Sequence, residues 1–169
     1  MWVHHYLTVA LPLLLIPTVA LVACAKWGST ALASGLPDDV QALLPEFTRS
    51  EKRRGTVFGT VFLLALLVTT FLAAYTWIGG GRASGLLQAF GMAFATFFTF
   101  CLIDLVVIDW GLVCWWRPSW VVIRGTEDAA GWGDYMFHVR AQLSPQGLAA
   151  MFGIPVAIAA LATVARLIT

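Results

Sequence analysis

Long, unbroken runs of hydrophobic residues alternate along the chain with more polar segments. Four runs reach the roughly 20 residues that a helix needs to cross a bilayer. They are continuously apolar, whereas barrel strands alternate apolar and polar positions over about 10 residues. The pattern therefore predicts an all-α, polytopic membrane protein, a bundle of four transmembrane helices in a single domain. The predicted helices cover about residues 2–25, 55–78, 86–114 and 146–168.

The composition supports a membrane location. Of the 169 residues, 60% are hydrophobic and 11% are charged, against roughly 25% charged residues in a typical soluble domain. A soluble fold of this composition would lack the polar side chains needed to cover its core. The net charge of +1 does not give the basic surface that nucleic-acid binding uses. The expected partner is thus the lipid bilayer and not a nucleic acid.

Lysine and arginine are unevenly shared between the connecting segments. Residues 26–54 and 115–145 together carry eight of the ten, and only Arg82 and Arg166 fall on the other side. By the positive-inside rule, both long loops are expected in the cytoplasm and both termini outside, in a bacterial-type plasma membrane. Tryptophans predict aromatic belts at the two boundaries. The outer belt has Trp2 and Trp77, and the inner one has Trp27, Trp110, Trp115, Trp116 and Trp120.

The first run ends in a stretch that resembles a cleavage site, residues 21–25. The residues before it lack the Lys or Arg that a secretory signal needs, so an uncleaved first helix is expected. Pro12 and Pro17 each remove a backbone donor and are expected to bend this helix.

The first loop predicts a short amphipathic helix on the inner leaflet. Pro37, Asp38 and Asp39 are typical of a helix start. Apolar residues then recur at helical spacing, at Val40, Leu43, Leu44 and Phe47. Basic residues at the end of the loop would contact anionic headgroups and anchor the topology. They are Arg49, Lys52, Arg53 and Arg54.

Small residues at a spacing of four predict close contacts between helices. The second run opens with Gly55 and Gly59, and the fourth run carries Ala149, Gly153 and Ala157. These residues are interpreted as packing signals.

Two carboxylates interrupt the third run. Asp104 lies six residues before Trp110, so an α-helix would place it about 9 Å deeper in the apolar layer. An ionised carboxylate there costs roughly 2.5–3.5 kcal/mol, so Asp104 is expected to be protonated, paired or beside a wet cavity. Asp109 follows at about 140° around an α-helix. One of the two acids is therefore expected to face a different neighbour, such as Arg117 or Arg124.

The second loop carries further titratable side chains. If residues 134–140 are helical, Asp134, Tyr135 and His138 share one face. An acid, a phenol and an imidazole can transfer protons near neutral pH; the alternative is an interfacial helix with a solvated salt bridge. Because the topology places this loop beside the end of the third run, one pocket is expected. Its candidate catalytic residues are Asp104, Asp109, Glu127, Asp134, Tyr135 and His138. Its candidate substrate-binding residues are Phe94, Phe97, Phe98, Cys101 and Trp110.

No cofactor is expected. His4 and His5 lie at the opposite end of the predicted bundle from His138, so they cannot ligate one haem together. The three cysteines form neither a Cys-x-x-Cys pair nor a four-ligand zinc set, and no phosphate-binding glycine motif is present. A magnesium ion on carboxylates stays open, because Mg²⁺ accepts carboxylate oxygen. The ligands would be Asp104, Asp109, Glu127 and Asp134, although their spacing does not specify the site.

Three functions fit these observations. The first is an intramembrane enzyme that isomerises or cyclises a lipophilic, isoprenoid- or sterol-like molecule, with Asp104 as the general acid. His138 or Asp134 would accept a proton. The second is a small proton- or cation-coupled transporter subunit acting as a homodimer. The third is an accessory membrane protein without chemistry of its own, in which Asp104 pairs with a partner helix.

Overall fold

The structure is a computed structural model and describes residues 1–79 and 85–168. Within these ranges it is helical and contains no strand. Four helices are long and apolar enough to cross a membrane, which confirms the predicted helical class and the number of candidate transmembrane helices. They are Trp2–Trp27, Arg49–Gly79, Leu86–Trp116 and Pro145–Leu167, called the first to fourth long helices below. Arg82, which entered the charge count, lies outside the described residues.

The second long helix begins six residues earlier than predicted. Thr48 and Glu51 form a capping box at its start: the Thr48 backbone N–H and hydroxyl both donate to Glu51 Oε2, at 2.7 and 2.8 Å. This reciprocal cap satisfies backbone donors that would otherwise lack a partner at a helix end. The resulting helix has 31 residues, about 46 Å at 1.5 Å per residue, against roughly 30 Å of hydrocarbon. The helix is therefore long enough for its basic first turns to extend beyond an apolar layer.

The two loops contain short helices, Asp38–Ala42 and Tyr135–Gln142. The first of these ends earlier than the predicted amphipathic pattern, because Leu43 leaves the helical conformation shortly before Pro45. Val40 is fully buried and Leu43 is exposed. The predicted apolar face therefore does not continue to Phe47.

The prolines of the first long helix coincide with interruptions of its α-helical hydrogen bonding. Pro12 follows a wider, π-helical turn at Tyr6–Ala10. Pro17 follows an interruption at Leu14, whose N–H bonds to the Leu11 carbonyl at 3.2 Å, three residues back. A proline ring clashes with the carbonyl four residues before it, which accounts for both positions.

The described chain divides into two compact units. The first unit comprises Met1–Pro17, Leu64–Cys101 and Leu143–Thr169, and the second comprises Thr18–Leu63 and Leu102–Gln142. The first unit therefore contains parts of the first three long helices and all of the fourth. The second contains the remaining parts of those three helices and both loops.

Alanines form much of the buried core of the first unit. One cluster joins Ala10 and Ala73 to Trp77 and Met92, and another includes Ala93 and further small and branched residues. Small side chains let helices approach closely and gain van der Waals contact. The predicted stripe on the fourth long helix is not part of this core: Ala149, Gly153 and Ala157 are all exposed in the chain. The buried face of this helix instead carries Met151, Pro155, Ile158, Ala159 and Ala162, so a packing role of the stripe stays a prediction.

Polar side chains also join helices within the first unit. The Arg166 guanidinium donates to the Tyr75 carbonyl from Nε at 3.3 Å and Nη2 at 3.2 Å, and it lies 3.8 Å from the centre of the Tyr75 ring. His5 Nε2 and Thr76 Oγ1 are 3.3 Å apart. Trp77, predicted for the outer aromatic belt, is instead buried at 5% exposure. Its indole thus contributes to helix packing.

Glycines permit a close approach within the second unit, between the end of the first long helix and the start of the second. A Cβ on Gly55 would collide with the Thr30 side chain, and one on Gly28 would lie 2.6 Å from Phe58 Cβ. Across this contact the Thr30 hydroxyl donates to the Glu51 carbonyl at 3.1 Å. The predicted role of Gly55 in close packing is therefore confirmed, although its contact is with a turn that follows a helix.

Replacing Gly55 by leucine should destabilise the protein by about 2 kcal/mol, because the added side chain must displace the Thr30 turn. We expect a lower midpoint of thermal unfolding for Gly55→Leu in detergent. Gly153→Leu is the matched control, since a Cβ there meets no atom within 4 Å. It should keep or raise the midpoint, because leucine is a better helix former than glycine. Equal losses in the two variants would contradict this account.

Candidate functional site

The third long helix changes its hydrogen bonding at Asp104. From Asp104 to Trp116 it is π-helical, with each N–H bonded five residues back. The pattern closes with the Arg117 N–H donating to the Leu112 carbonyl at 3.0 Å. Residues five apart are therefore closer in angle around this segment than they would be in an α-helix. The predicted separation of about 140° between Asp104 and Asp109 assumed α-helical geometry and therefore does not apply to this segment.

Asp109 is paired with a histidine from the second loop. His138 Nδ1 lies 3.1 Å from Asp109 Oδ2, and the two side chains are 9% and 19% exposed. Asp104 is half-buried and near enough to both groups for their charges to interact. The sequence interpretation offered Arg117 or Arg124 as the partner of one acid. Neither pairs with Asp109: Arg117 donates to the Cys114 carbonyl and Arg124 pairs with Glu51.

The contact between Asp109 and His138 fixes the chemistry of the imidazole ring. A carboxylate opposite Nδ1 is an acceptor, so Nδ1 carries the hydrogen of the neutral ring. The proton-accepting nitrogen is then Nε2. If Nε2 gains a proton, the carboxylate stabilises the resulting imidazolium, as the acid does in hydrolase triads. The pair can therefore act as an oriented general base.

The short helix Tyr135–Gln142 holds His138 against the third long helix. The Trp110 indole N–H donates to the Tyr135 carbonyl at 3.2 Å, and the two rings lie edge to face with centroids 6.1 Å apart. The Phe137 ring packs at right angles to the His138 ring, with centroids 5.5 Å apart. The Tyr135 side chain is itself 40% exposed. Tyr135 contacts Trp110 through its backbone carbonyl and its ring.

Asp134 caps the short helix. Its Oδ1 accepts the Phe137 N–H at 2.9 Å, and its Oδ2 accepts Arg140 Nη2 at 2.9 Å. The Arg140 and Asp134 side chains are 67% and 39% exposed. The predicted common face of Asp134 and His138 is thus replaced by a cap and a solvated salt bridge, which was the alternative interpretation of this segment. Asp134 therefore positions His138 indirectly, because it caps the helix that carries His138.

Glu127 lies on the exposed surface of the second loop. The backbone N–H groups of Glu127 and Gly125 hold the pKa of its carboxyl below its usual range. Gly125 has a positive φ of 83°, so these contacts stabilise a tight turn. In this arrangement Glu127 remains ionised at neutral pH.

A buried tryptophan organises the second loop, and the sequence interpretation missed it. The Trp132 indole N–H donates to the Thr126 carbonyl at 2.9 Å and lies 3.1 Å from the Thr126 hydroxyl, both residues being almost fully buried. The neighbouring Gly131 N–H donates to Asp39 Oδ2 of the first loop at 2.7 Å. The two loops are therefore joined. The Gly-Trp-Gly sequence at 131–133 was the feature that could have indicated this contact between the loops. Its first glycine permits the close approach of Pro37 and Asp39.

The predicted substrate-binding residues do not all fall in the second unit. Trp110 belongs to it, while Phe94, Phe97, Phe98 and Cys101 belong to the first unit. There Phe94 stacks on Phe98 at 5.8 Å and on Phe152 at 5.3 Å between ring centroids. Their role in substrate binding stays a prediction.

Among residues 1–79 and 85–168, no three His, Cys, Asp or Glu side chains lie close enough to hold a metal ion. The magnesium hypothesis stays a prediction.

Removing the Asp134 carboxylate should fray the short helix that carries His138. We expect Asp134→Ala to lose about 1 kcal/mol, the typical value of an N-cap, and to speed amide hydrogen exchange at residues 135–138. Asp134→Asn keeps a capping oxygen but loses the ion pair with Arg140, and exposed ion pairs contribute little. It should therefore resemble the wild type. Faster exchange in both variants would instead assign the effect to the ion pair.

The comparisons with known proteins give no family for this arrangement. No family model, no curated protein sequence and no solved structure matches the chain.

Proposed function

We propose that this chain is an integral membrane enzyme that uses Asp109 and His138 for acid–base chemistry on a lipophilic, isoprenoid- or sterol-like substrate. The four long apolar helices support membrane insertion, and the basic loops support a cytoplasmic position for residues 26–54 and 115–145. The observation that carries the proposal is the largely buried contact of 3.1 Å between His138 Nδ1 and Asp109 Oδ2.

The proposed reaction is an isomerisation or cyclisation by proton transfer. His138 Nε2 removes a proton from one carbon of the substrate while Asp109 stabilises the imidazolium. A carbon–carbon double bond moves or a ring closes, and Asp104 in its protonated form supplies a proton at a second carbon. The substrate gains as many protons as it loses, so the step needs no oxidant or reductant. Asp104 regains its proton from His138 through Asp109 or water.

If the proposal is right, cells contain a substrate lipid and a product lipid of equal mass, and the ratio of the two depends on Asp109 and His138. Cells of the source strain that lack the gene are complemented with the wild type, Asp109→Asn, His138→Asn or the control His4→Asn, which alters an exposed histidine of the first long helix. Chromatography of lipid extracts should show the product with the wild type and the control. Each site variant should lower its amount by at least about 100-fold, the usual contribution of general acid–base catalysis.

Incubating isolated membranes of each strain in deuterium oxide with unlabelled lipid extract from the cells that lack the gene makes the readout specific to proton transfer. The product should carry solvent deuterium on carbon when the wild type is present, because the proton returned to the substrate exchanges with water. Identical lipid profiles for the wild type and all three variants would contradict the enzymatic proposal. A product that lacks deuterium would contradict the mechanism while leaving an enzyme in place.

Proton transport is the second candidate, and the presence of two carboxylates in the π-helical segment favours it. Asp104 and Asp109 are five residues apart in the π-helical segment, and a carrier would pass a proton from one to the other. Intramembrane acids serve as relays in pumps and transporters, and a chain of this size would act as a homodimer.

Vesicles separate the two candidates. If the chain is an enzyme, proteoliposomes with an internal pH-sensitive dye should hold a pH gradient as long with the wild type as with Asp104→Asn. A gradient that collapses with the wild type and His4→Asn, but persists with Asp104→Asn and Asp109→Asn, would assign the carboxylates to a carrier. That outcome would overturn the enzymatic proposal.

A further inference from the structure

A polar recess lies in the second unit, apart from Asp109 and His138, and is formed by three separate segments. Its volume is about 230 Å³, and its charged lining residues are Lys26, Glu51, Arg54 and Arg124. Lys26 is at the end of the first long helix, Glu51 and Arg54 are in the first turns of the second, and Arg124 is in the second loop. None of these residues belongs to the pair of Asp109 and His138.

The recess has an excess of positive charge. Three cations and one carboxylate line it, and the carboxylate is already occupied by other groups. Glu51 Oε2 accepts two hydrogen bonds from Thr48, and its Oε1 lies 3.3 Å from Arg124 Nη2. A guanidinium has five donors in a planar fork, so this one contact leaves Arg124 able to bind an anion. Because like charges repel each other, gathering these cations in one concave space favours a bound anion.

Contacts around the recess hold its backbone together and orient Lys26. The Thr30 hydroxyl bonds to the Glu51 carbonyl, and the capping box holds the first turn of the second long helix. The Lys26 ammonium lies 5.1 Å from the centre of the Trp27 ring and 5.8 Å from that of Trp120. Such cation–π contacts orient an ammonium group. The segments that form the recess are therefore joined to each other within the chain.

The lining indicates the chemical class of the ligand. Guanidinium groups bind phosphate oxygens in a bidentate manner, and an ammonium adds a point charge. The volume of about 230 Å³ equals that of roughly eight waters at about 30 Å³ each, enough for a phosphate or diphosphate and too small for a whole lipid. Trp27 and Phe47 line the same recess, and Trp27 is 53% exposed. They offer apolar surface to whatever is attached to the phosphate.

We propose that this recess binds a terminal phosphate or diphosphate group, presented either on a lipid or as a free anion. The inference does not rest on the proton-transfer function of Asp109 and His138. It also differs from a general attraction of a basic loop to an anionic membrane. Binding is assigned to Lys26, Arg54 and Arg124, and the neighbouring Arg53 is expected to take no part.

The test uses the purified full chain in detergent, with phosphatidic acid as the probe and native mass spectrometry as the measurement of lipid binding. Arg54→Gln and Arg124→Gln each remove one cation of the recess. Arg53→Gln is the matched control, since it removes the same charge one residue from Arg54 and does not line the recess. Thermal unfolding of each variant shows that it is folded. Phosphatidylcholine, whose phosphate is a diester capped by choline, is the control lipid.

We expect Arg54→Gln and Arg124→Gln to weaken phosphatidic acid binding about tenfold or more, the value of one charge-assisted hydrogen bond. Arg53→Gln should change it less than about twofold, because exposed charges are screened. An equal loss with Arg53→Gln, no loss with either recess variant, or equally tight binding of phosphatidylcholine by the wild type would overturn the proposal. If one recess variant is unfolded, the other and Lys26→Gln decide the result.

Competition with inorganic diphosphate identifies the source of the phosphate. Displacement of phosphatidic acid from the wild type, but not from the residual binding of Arg54→Gln, would show that the recess also accepts the free anion. If diphosphate fails to displace the lipid while the variants lose binding as expected, the site recognises the phosphate only on a lipid.

Discussion

A carboxylate inside an apolar helix has to be matched by a partner, and this requirement shapes the second unit. An unpaired charge in hydrocarbon costs several kcal/mol. Asp109 is matched by His138, whose ring nitrogen lies 3.1 Å from it. The partner comes from a loop that follows the helix and not from another long helix. The loop must therefore fold back onto the helix end, and the remaining contacts of the second unit hold it there.

Those contacts form a continuous series from one loop to the other. Asp39 of the first loop accepts the Gly131 N–H, and the adjacent Trp132 is buried with its indole bonded to Thr126. Beyond this turn, Asp134 caps the short helix that carries His138. Each bond satisfies a backbone or indole group that would be costly to bury alone. The position of the imidazole thus depends on residues that have no part in proton transfer.

The sequence was sufficient to predict the long helices but not the contacts of the site, and the reason is physical. Twenty apolar residues in a row specify a membrane-crossing helix through composition alone, so all four were predictable. The pairing of Asp109 with His138 joins a long helix to a loop that folds back onto it, and no local sequence pattern predicts that contact. The role of Asp134 could have been foreseen, because an aspartate before a helix is a typical N-cap. Likewise Thr-x-x-Glu at 48–51 is a capping box that fixes the start of the second long helix.

The basic first turns of that helix carry an electrostatic cost that a bound anion would offset. A helix N-terminus bears a partial positive charge, so cations there are unfavourable and anions favourable. Arg49, Lys52, Arg53 and Arg54 all lie in this region, and Glu51 is the single acid among residues 49–54. An anchoring role in the membrane requires basic residues near the boundary, but it does not require one of them, Arg54, to share a recess with Lys26 and Arg124. A phosphate group in that recess would lower the repulsion among the three lining cations and complement the helix dipole at the same time.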